Sequence, residues 1–397
     1  MERWKKNLYI VWAAESVAIL GFMIAFPLFP FFVQELGVTD LKQVEIWSGL
    51  LSTGAALAMA LFSPLWGSVA DRYGRKLMLE RAMFGGAVVI FAMGFVTDVR
   101  QLLILRILQG SLTGTVTASM ALVAAMSPPD RIGYSLGLMQ TAVFSGAFAG
   151  PILGGVVADL LGCRAAFWLA GTILFLAGLT VLAFAEERFE PRHSKDRSTA
   201  VGLLYGLRMA IASRRLLTTI VVVLLVQVAR MIVSPIFPLF VQSLNPAGER
   251  VASITGGILG VGFLCSALAA AMIGRISDNI GYRRALTCCV LGSAFLYALQ
   301  ALVRDSVQLL ILRAASGAFA GGIMPMANAI IATSAPEGRQ SSTMGLSASA
   351  NALGNAIGPI IGAIVAATLG MRSTFLCSAA IFALAGIWVA GAIKTPR

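Results

Sequence analysis

The chain has 397 residues, of which 58% are hydrophobic and 12% charged, with a mean hydropathy of +0.86 and a net charge of +12. A soluble protein carries roughly one charged residue in four, so a water-soluble core is excluded. The five cysteines have no CxxC or zinc-ligand spacing and the only histidine is His193, so no metal site is expected.

Apolar segments of about twenty residues, long enough to cross a bilayer, follow one another along the chain. Twelve are predicted, at 8–33, 46–66, 79–97, 101–125, 134–158, 164–185, 217–241, 251–273, 285–303, 307–332, 342–368 and 373–393. The first has no cleavage site behind it and is expected to remain as a span. The sequence therefore predicts an all-α membrane protein with twelve transmembrane helices and with both termini on one side.

The second six segments repeat the first six. FPLFPFFVQEL at 26–36 returns as SPIFPLFVQSL at 234–244, and ILRILQGSLTG at 104–114 returns as ILRAASGAFAG at 311–321. A repeat of this length indicates two pseudo-symmetric six-helix bundles, an arrangement that suggests a substrate path between the two halves.

The predicted domains are an N-terminal bundle at 1–185 and a C-terminal bundle at 217–397, joined by a linker at 186–216. The linker begins with the longest polar stretch of the chain. Its second part, 201–216, mixes apolar residues with arginines and is predicted to be an amphipathic helix at the membrane surface.

The positive charge is distributed unevenly between the two sides of the predicted spans. Of the 30 Lys and Arg residues, 21 lie at the termini or in loops after even-numbered spans, and six lie in the opposite loops. By the positive-inside rule, both termini and the linker are predicted to be cytoplasmic. Membrane topology therefore explains the excess of Lys and Arg, and nucleic-acid binding is not expected.

The segment GSVADRYGRK at 67–76 is predicted to be a short cytoplasmic turn. Gly67 and Gly74 would allow a tight reversal, and Asp71 would accept hydrogen bonds among the cations Arg72, Arg75 and Lys76. Ordinary loop charge would explain the cations but not the aspartate between spaced glycines. The cluster is expected to latch helix ends together.

Glycines recur four residues apart in several spans, as in Gly146, Gly150 and Gly154 and again in Gly354, Gly358 and Gly362. This spacing places them on one helix face, where a neighbouring backbone can approach closely. The simpler interpretation is that the glycines allow tight helix packing. The functional interpretation is that they also let neighbouring helices slide or rock against each other.

The pattern G-x-x-x-D-R-x-G-R-K resembles the cytoplasmic signature of the major facilitator superfamily. The second copy keeps Gly274, Asp278, Gly281 and Arg283 but has Asn279 where the first has Arg72. The resemblance implies a cytoplasmic gate, stronger in the first half, with the following residues: Gly67, Asp71, Arg72, Gly74, Arg75, Lys76 and Asp278.

Two further motifs resemble the drug:proton antiporter branch of that superfamily. Arg106, Gln109 and Gly110 resemble its fourth-helix arginine motif, which is associated with proton relay. GAFAGPILGG at 146–155 resembles its fifth-helix antiporter motif, carried here by Gly146, Gly150, Pro151, Gly154 and Gly155.

Ionisable residues inside spans are costly in lipid and are candidates for function. They are Glu15, Arg106, Arg230 and Arg313, on helices that the family resemblance implies line a central cavity. Glu15 is predicted to take up protons, and Arg106 is predicted to tune its proton affinity. There are two alternatives: Glu15 forms a fixed ion pair with an arginine, or its carboxylate reaches the edge of the membrane. The expected substrate-binding residues are Glu15, Phe22, Phe26, Gln109, Gln227, Arg230, Arg313 and Asn351.

The sequence thus predicts a monomeric exporter of drug-like or amphipathic small molecules in exchange for protons, in the bacterial inner membrane. A metabolite or sugar exporter and a non-transporting membrane sensor remain as alternatives. An enzyme is disfavoured, because the G-x-S-x-G match at 133–137 begins a span and has no histidine near it. No ATP-binding G-x-x-x-x-G-K-[ST] motif occurs, and no cofactor is expected.

Overall fold

The computed structural model describes residues 2–128, 131–187, 214–245, 248, 250–334 and 340–392, and these residues contain helices but no strand. The predicted amphipathic helix at 201–216 and nearly all of the linker lie outside the described residues.

The first half contains eight helices within its described residues. They are α1 (Arg3–Ala25), α2 (Phe29–Glu35), α3 (Leu41–Tyr73), α4 (Arg75–Met93), α5 (Val99–Leu112), α6 (Thr115–Met126), α7 (Ile132–Leu161) and α8 (Cys163–Phe184). A single 3-10 turn, Phe26–Leu28, connects α1 to α2, and proline in the first turn of each short element favours that break.

The second half has a similar order of elements, except that a single helix replaces the pair α5 and α6. Its described helices are α9 (Arg214–Val233), α10 (Phe237–Leu244), α11 (Val251–Ile280), α12 (Tyr282–Gln300), α13 (Ser306–Ser334), α14 (Gln340–Leu369) and α15 (Met371–Ala392). Each predicted span coincides with one helix or with a pair. In the described chain, ten helical segments are long and apolar enough to cross a membrane, and two of them, Trp4–Glu35 and Val99–Met126, consist of consecutive helices. The third span of each half, α4 or α12, is not among them, and both have two basic residues in their first turn.

The repeat is preserved in individual contacts. Arg164 donates to the carbonyl oxygens of Gly94 and Val96 at 3.1 and 3.0 Å. Arg372, 208 residues later, donates to the carbonyls at 301 and 303, both at 2.9 Å. In each half the arginine satisfies carbonyls just beyond a helix end, where no intrahelical partner exists.

The chain divides into two compact units that do not coincide with the two halves of the repeat. Unit 1 comprises Met1–Thr39, Gly54–Ser194 and Ala247–Gly260, and unit 2 comprises Asp40–Thr53, Lys195–Pro246 and Val261–Arg397. The first turns of α3 therefore belong to unit 2, and the first turns of α11 belong to unit 1.

Within unit 1, the glycine face of α7 lies directly against α1. A Cβ atom at Gly150 would come within 2.4 Å of the Met23 Cβ, and one at Gly154 within 2.4 Å of the Ile24 carbonyl oxygen. Within unit 2, Gly358 of α14 approaches Met231 of α9 in the same way. The prediction of close backbone approach at these glycines is confirmed.

The N-terminus of α11 is capped inside unit 1 by Asp159 of α7. The carboxylate accepts from the backbone N–H of Ala252 at 3.2 Å and of Ser253 at 2.7 Å. Asp159 is exposed at the end of α7, as expected of a charged residue at a span edge. It also acts as a helix cap, a position where a negative charge is stabilised by the free N–H groups of the first turn.

The segment 67–76 was predicted to be a short turn, but most of it is helical. Helix α3 continues to Tyr73, and Gly74, with φ of +105°, is the residue at which the chain turns into α4. Gly67 lies inside α3, so its predicted part in the reversal is wrong. The side chains of Asp71 and Asp278 lie outside the part of the chain that the structure describes.

Candidate functional site

Glu15 lies inside unit 1 on the face of α1 that meets α6. Its side chain is 0% exposed. The Thr115 hydroxyl donates to Glu15 Oε1 at 3.1 Å, whereas Glu15 Oε2 is buried without a hydrogen-bond partner. Ser119, one turn along α6 and also 0% exposed, is the second hydroxyl that interacts with this carboxyl group.

A break in the fourth span brings Thr115 to Glu15. Helix α5 ends at Leu112, Thr113 is extended, and Gly114 has φ of +123° before α6 begins at Thr115. Glycine adopts this φ readily because it has no Cβ. Thr115 is 3% exposed, so the hydroxyl that opens α6 is held in the interior.

The second half has no such arrangement. By the repeat, Val223 stands where Glu15 stands and Gly322 where Thr115 stands. Helix α13 runs unbroken through the corresponding stretch. The buried carboxyl group and its hydroxyl partners are therefore specific to the first half.

Neither alternative to a proton-exchanging Glu15 matches this geometry. Among the described residues no ion pair involves Glu15, and its polar neighbours are hydroxyls. Its side chain also does not reach a surface. Burying a carboxylate without a cation costs several kcal/mol, so the neutral acid is a stable occupant of this site.

Arg106 and Gln109, which belong to the predicted fourth-helix motif, contact each other one turn apart on α5. The Arg106 guanidinium donates to the Gln109 side-chain oxygen and lies 4.2 Å from the centroid of the Phe29 ring. In the second half, Arg313 lies 4.8 Å from the centroid of Phe237. Both arginines are thus held against an aromatic face, a favourable place for a cation in an apolar setting.

The predicted substrate residues of unit 2 form two groups. Arg230 and Arg313 are close enough to interact electrostatically, and Tyr297 accepts from Arg313 at 3.3 Å. Gln227 donates to the Asn355 side-chain oxygen. Asn351 is only weakly bonded, since its side-chain nitrogen lies 3.4 Å from a carbonyl of its own helix.

The predicted aromatic residues of the first span face the interior of unit 1 only in part. Phe22 and Phe26 are both half-buried. A Cβ at Gly86 of α4 would lie 3.2 Å from the tip of the Phe22 ring. Phe22 therefore packs between helices of unit 1.

The predicted cation cluster is anchored by a residue that sequence reasoning missed. Glu187 accepts from the backbone N–H groups of Arg75 at 3.0 Å and of Lys76 at 2.8 Å, at the start of α4. The Lys76 ammonium pairs with Glu80 at 3.5 Å, and Arg72 is exposed. Glu187 is separated from α4 by about a hundred residues, so no local pattern indicated this contact.

Thr115, Ser119 and Glu45 were also missed. Glu45 is 3% exposed and lies in α3, which begins at Leu41 and not at the predicted residue 46. The sequence contains a signal for this earlier helix start, because Asp40, a residue type that favours helix N-caps, precedes the apolar run. Its carboxylate accepts from the Lys42 N–H at 3.3 Å. Glu15 is consequently not the only buried carboxylate within a span.

Apolar helices long enough to span a membrane, arranged in two repeats with charged groups inside them, are typical of a polytopic membrane transporter. The profile described as Major Facilitator Superfamily matches residues 11–262 and again residues 219–397. The chain belongs to the major facilitator superfamily.

Its sequence relatives include multidrug resistance proteins called MdtG. The protein from Enterobacter lignolyticus is 33% identical over 378 residues, covering 95% of this chain and 90% of the relative. The protein from Rahnella sp. is 35% identical over 328 residues, covering 83% and 79% of the two chains.

Solved structures support the fold. A bacterial homologue of the human lysosomal transporter Spinster superposes with a TM-score of 0.81 at 12% identity, covering 99% of this chain and 97% of that one. The nucleoside transporter NupG superposes with a TM-score of 0.78 at 13% identity, covering 98% and 100%. At these identities the likeness establishes the fold alone.

Proposed function

We propose that the chain is a secondary active transporter that exports drug-like or amphipathic small molecules in exchange for protons by alternating access. Its membership of the superfamily and the names of its relatives support this class of substrate. The proposed setting is the inner membrane, with both termini cytoplasmic as the distribution of Lys and Arg favours. The protein is proposed to act as a monomer.

The observation that carries the coupling is the environment of Glu15. A fully buried carboxyl group with hydroxyl partners and no cation is stable when protonated, and its ionised form is stabilised only when water or a positive charge reaches it. A change of conformation that opens the site to one side of the membrane therefore changes the proton affinity of Glu15. This dependence is the property that a coupling group requires.

The other predicted residues receive supporting roles in this proposal. Arg106 and Gln109 form a bonded polar pair on the broken span that also carries Thr115. The glycine face of α7, which is the antiporter motif, sets how closely α1 and therefore Glu15 are held. The segment 67–76 is proposed to act as the cytoplasmic gate, with its cations ordered around Glu187.

Substrate binding is proposed at the residues predicted from the sequence, above all at Arg230 and Arg313. They are two cations beside the Tyr297 hydroxyl, with no carboxylate paired to either among the described residues. An anionic or zwitterionic group on the substrate would complement this charge.

The function is tested with the purified protein in proteoliposomes under an imposed pH step. A panel of charged and neutral drugs should be transported against their gradients, and dissipating the pH step with a protonophore should abolish accumulation. Dye efflux should be inhibited by the drugs and not by sugars. Competition by sugars alone would favour the metabolite exporter, and absence of any substrate-dependent proton flux would favour a sensor.

A further inference from the structure

Unit 1 contains a second polar site, and its lining shares Gly67 and Arg75 with the proposed gate segment 67–76. A cavity of about 110 Å³ lies among α3, α4 and the break between α5 and α6. Its polar and charged lining consists of Ser63, Trp66, Arg75, Arg81, Thr113 and Thr117. Glu15 does not line it, and no acidic side chain does among the described residues.

Arg81 is the unusual member of this lining. Its Nε and Nη1 atoms are buried and have no hydrogen-bond partner. A guanidinium group has five N–H donors in a rigid fork, and leaving donors unsatisfied away from water costs about 1–3 kcal/mol or more for a charged group. The residue as a whole is only partly buried and lines the cavity, so a ligand in the cavity lies beside this guanidinium group.

Trp66 fixes the orientation of this guanidinium. The Arg81 Cζ atom lies 3.7 Å from the centroid of the Trp66 ring. The indole N–H of Trp66 donates to the Ser111 carbonyl at 2.6 Å, a carbonyl in the last turn of α5 that has no partner further along that helix. The carbonyl of Ser111, next to the break in the fourth span, therefore positions the Trp66 ring, and this ring positions the Arg81 guanidinium.

Arg75 brings a second cation to the same cavity. Its Nη1 lies 3.4 Å from the Ala121 carbonyl, a long contact that leaves most of the fork available. Two acids whose side chains are described have other partners, because Glu187 accepts from the backbone at the start of α4 and Glu80 pairs with Lys76. The cavity is thus positively charged with no internal counter-ion among the described residues.

We propose that this cavity binds a phosphate-type oxyanion between Arg81 and Arg75. Two guanidinium forks, one of them with free donors, match the several acceptor oxygens of a tetrahedral anion, and arginine is preferred where such bidentate recognition matters. Thr113 and Thr117 also line the cavity and carry hydroxyl groups that can donate to such an anion. The anion is either free in solution or part of a lipid headgroup, and both present the same oxygens. This inference does not depend on the proposed export.

Binding is measured by isothermal titration calorimetry on the full-length protein in an uncharged detergent. One arm titrates inorganic phosphate against a chloride control of equal ionic strength, and the other titrates a short-chain phosphatidylglycerol. The wild-type protein should bind in at least one arm, and Arg81→Gln should weaken that binding about tenfold. Arg75→Gln should weaken it as well, and Arg100→Gln, which removes an exposed arginine of unit 1 outside the cavity, should not.

The two arms separate the sources of the anion. Binding of inorganic phosphate identifies a free oxyanion, and binding of phosphatidylglycerol alone identifies a headgroup. Should Arg81→Gln fail to elute as a single folded species, Arg75→Gln and Arg81→Lys serve as the second test, and both should weaken binding. The proposal is overturned if neither ligand binds the wild type, or if binding is unchanged when both arginines are replaced.

Discussion

The hydroxyl of Thr115 is the smallest feature on which the proposed coupling depends. It donates the hydrogen bond to Glu15 Oε1, and Oε2 has no partner. A donor of this kind stabilises the ionised carboxylate more than the neutral acid, because the full negative charge strengthens the bond. No titratable group lies on α6; those on α7 are Tyr134 and Asp159, and those on α8 are Cys163 and Arg164. None of these four interacts with Glu15.

Replacing Thr115 by valine should therefore shift the pH dependence of export. Without the donor the ionised form is less stable, so Glu15 keeps its proton to higher pH and half-maximal transport moves upward. The shift should be about one pH unit, given about 1.5 kcal/mol for a hydrogen bond to a charged group.

The measurement is initial transport rate against pH in proteoliposomes. Thr115→Ser keeps a hydroxyl and should restore the wild-type profile. A merely structural effect would lower the rate at every pH without moving the profile, and that result would remove Thr115 from the coupling mechanism.

At the scale of elements, the glycine face of α7 determines how α1 is held. Gly146, Gly150 and Gly154 each leave no room for a Cβ atom against α1. Because small residues allow dispersion contacts between whole backbones, this face contributes packing that lipid cannot replace.

Gly150→Ala should destabilise the protein by about 1–3 kcal/mol, since the new methyl group would overlap Met23. Gly137→Ala on the same helix is the matched control, because nothing lies within 4 Å of its Cβ position. The control should be neutral or should stabilise by up to about 1 kcal/mol through helix propensity. Thermal unfolding in detergent measures both, and equal effects of the two variants would contradict the packing account.

The cap that Asp159 places on α11 makes a separate prediction. Asp159→Ala leaves the Ala252 and Ser253 amides without their acceptor and should cost about 1 kcal/mol locally, a rise of about fivefold in amide exchange there. Hydrogen exchange of a peptide spanning 250–256 reports it. Asp305→Ala, which removes a similar cap from Gln308 in unit 2, should leave that peptide unchanged. Unaltered exchange in Asp159→Ala would show that the cap contributes nothing.

Hydrophobic segment length and the repeat were enough to predict the helices, because each span must satisfy its own backbone in lipid. They were not enough to predict the break at Thr113 and Gly114. Gly114 fits the same four-residue spacing from Gly110 as the packing glycines do, and only its φ distinguishes it. The partners of Glu15 could not be predicted either, because Thr115 is a hundred residues away and meets it through packing.

At the scale of the whole molecule, the two halves share a scaffold but differ in their charges. The scaffold contacts recur, as in Arg164 and Arg372, whereas the buried acid next to α6 occurs in the first half and Arg230 in the second. The first half has Phe22 at the position equivalent to Arg230. Duplication therefore accounts for the shared fold. The differences in charge account for the proposal that the first half carries the proton and the second half contributes Arg230 to substrate binding.

The charge difference predicts substrate preference. With Arg230 and Arg313 in unit 2 carrying no paired carboxylate among the described residues, anionic or zwitterionic amphiphiles should compete with dye efflux at least as well as lipophilic cations of similar size. Arg313→Gln should reduce competition by anions about tenfold and leave competition by neutral compounds nearly unchanged. Transport confined to cations would contradict this assignment.

The most direct test of the central claim is proton movement coupled to substrate in Glu15→Gln. Wild-type proteoliposomes on a solid-supported membrane should give a substrate-dependent proton current, and Glu2→Gln, which removes an exposed carboxylate from the same helix region, should give the same current. Glu15→Gln should still bind substrate through Arg230 and Arg313 and unfold at a similar temperature, yet give no proton current. A wild-type current from Glu15→Gln would show that the buried carboxyl group does not carry the proton.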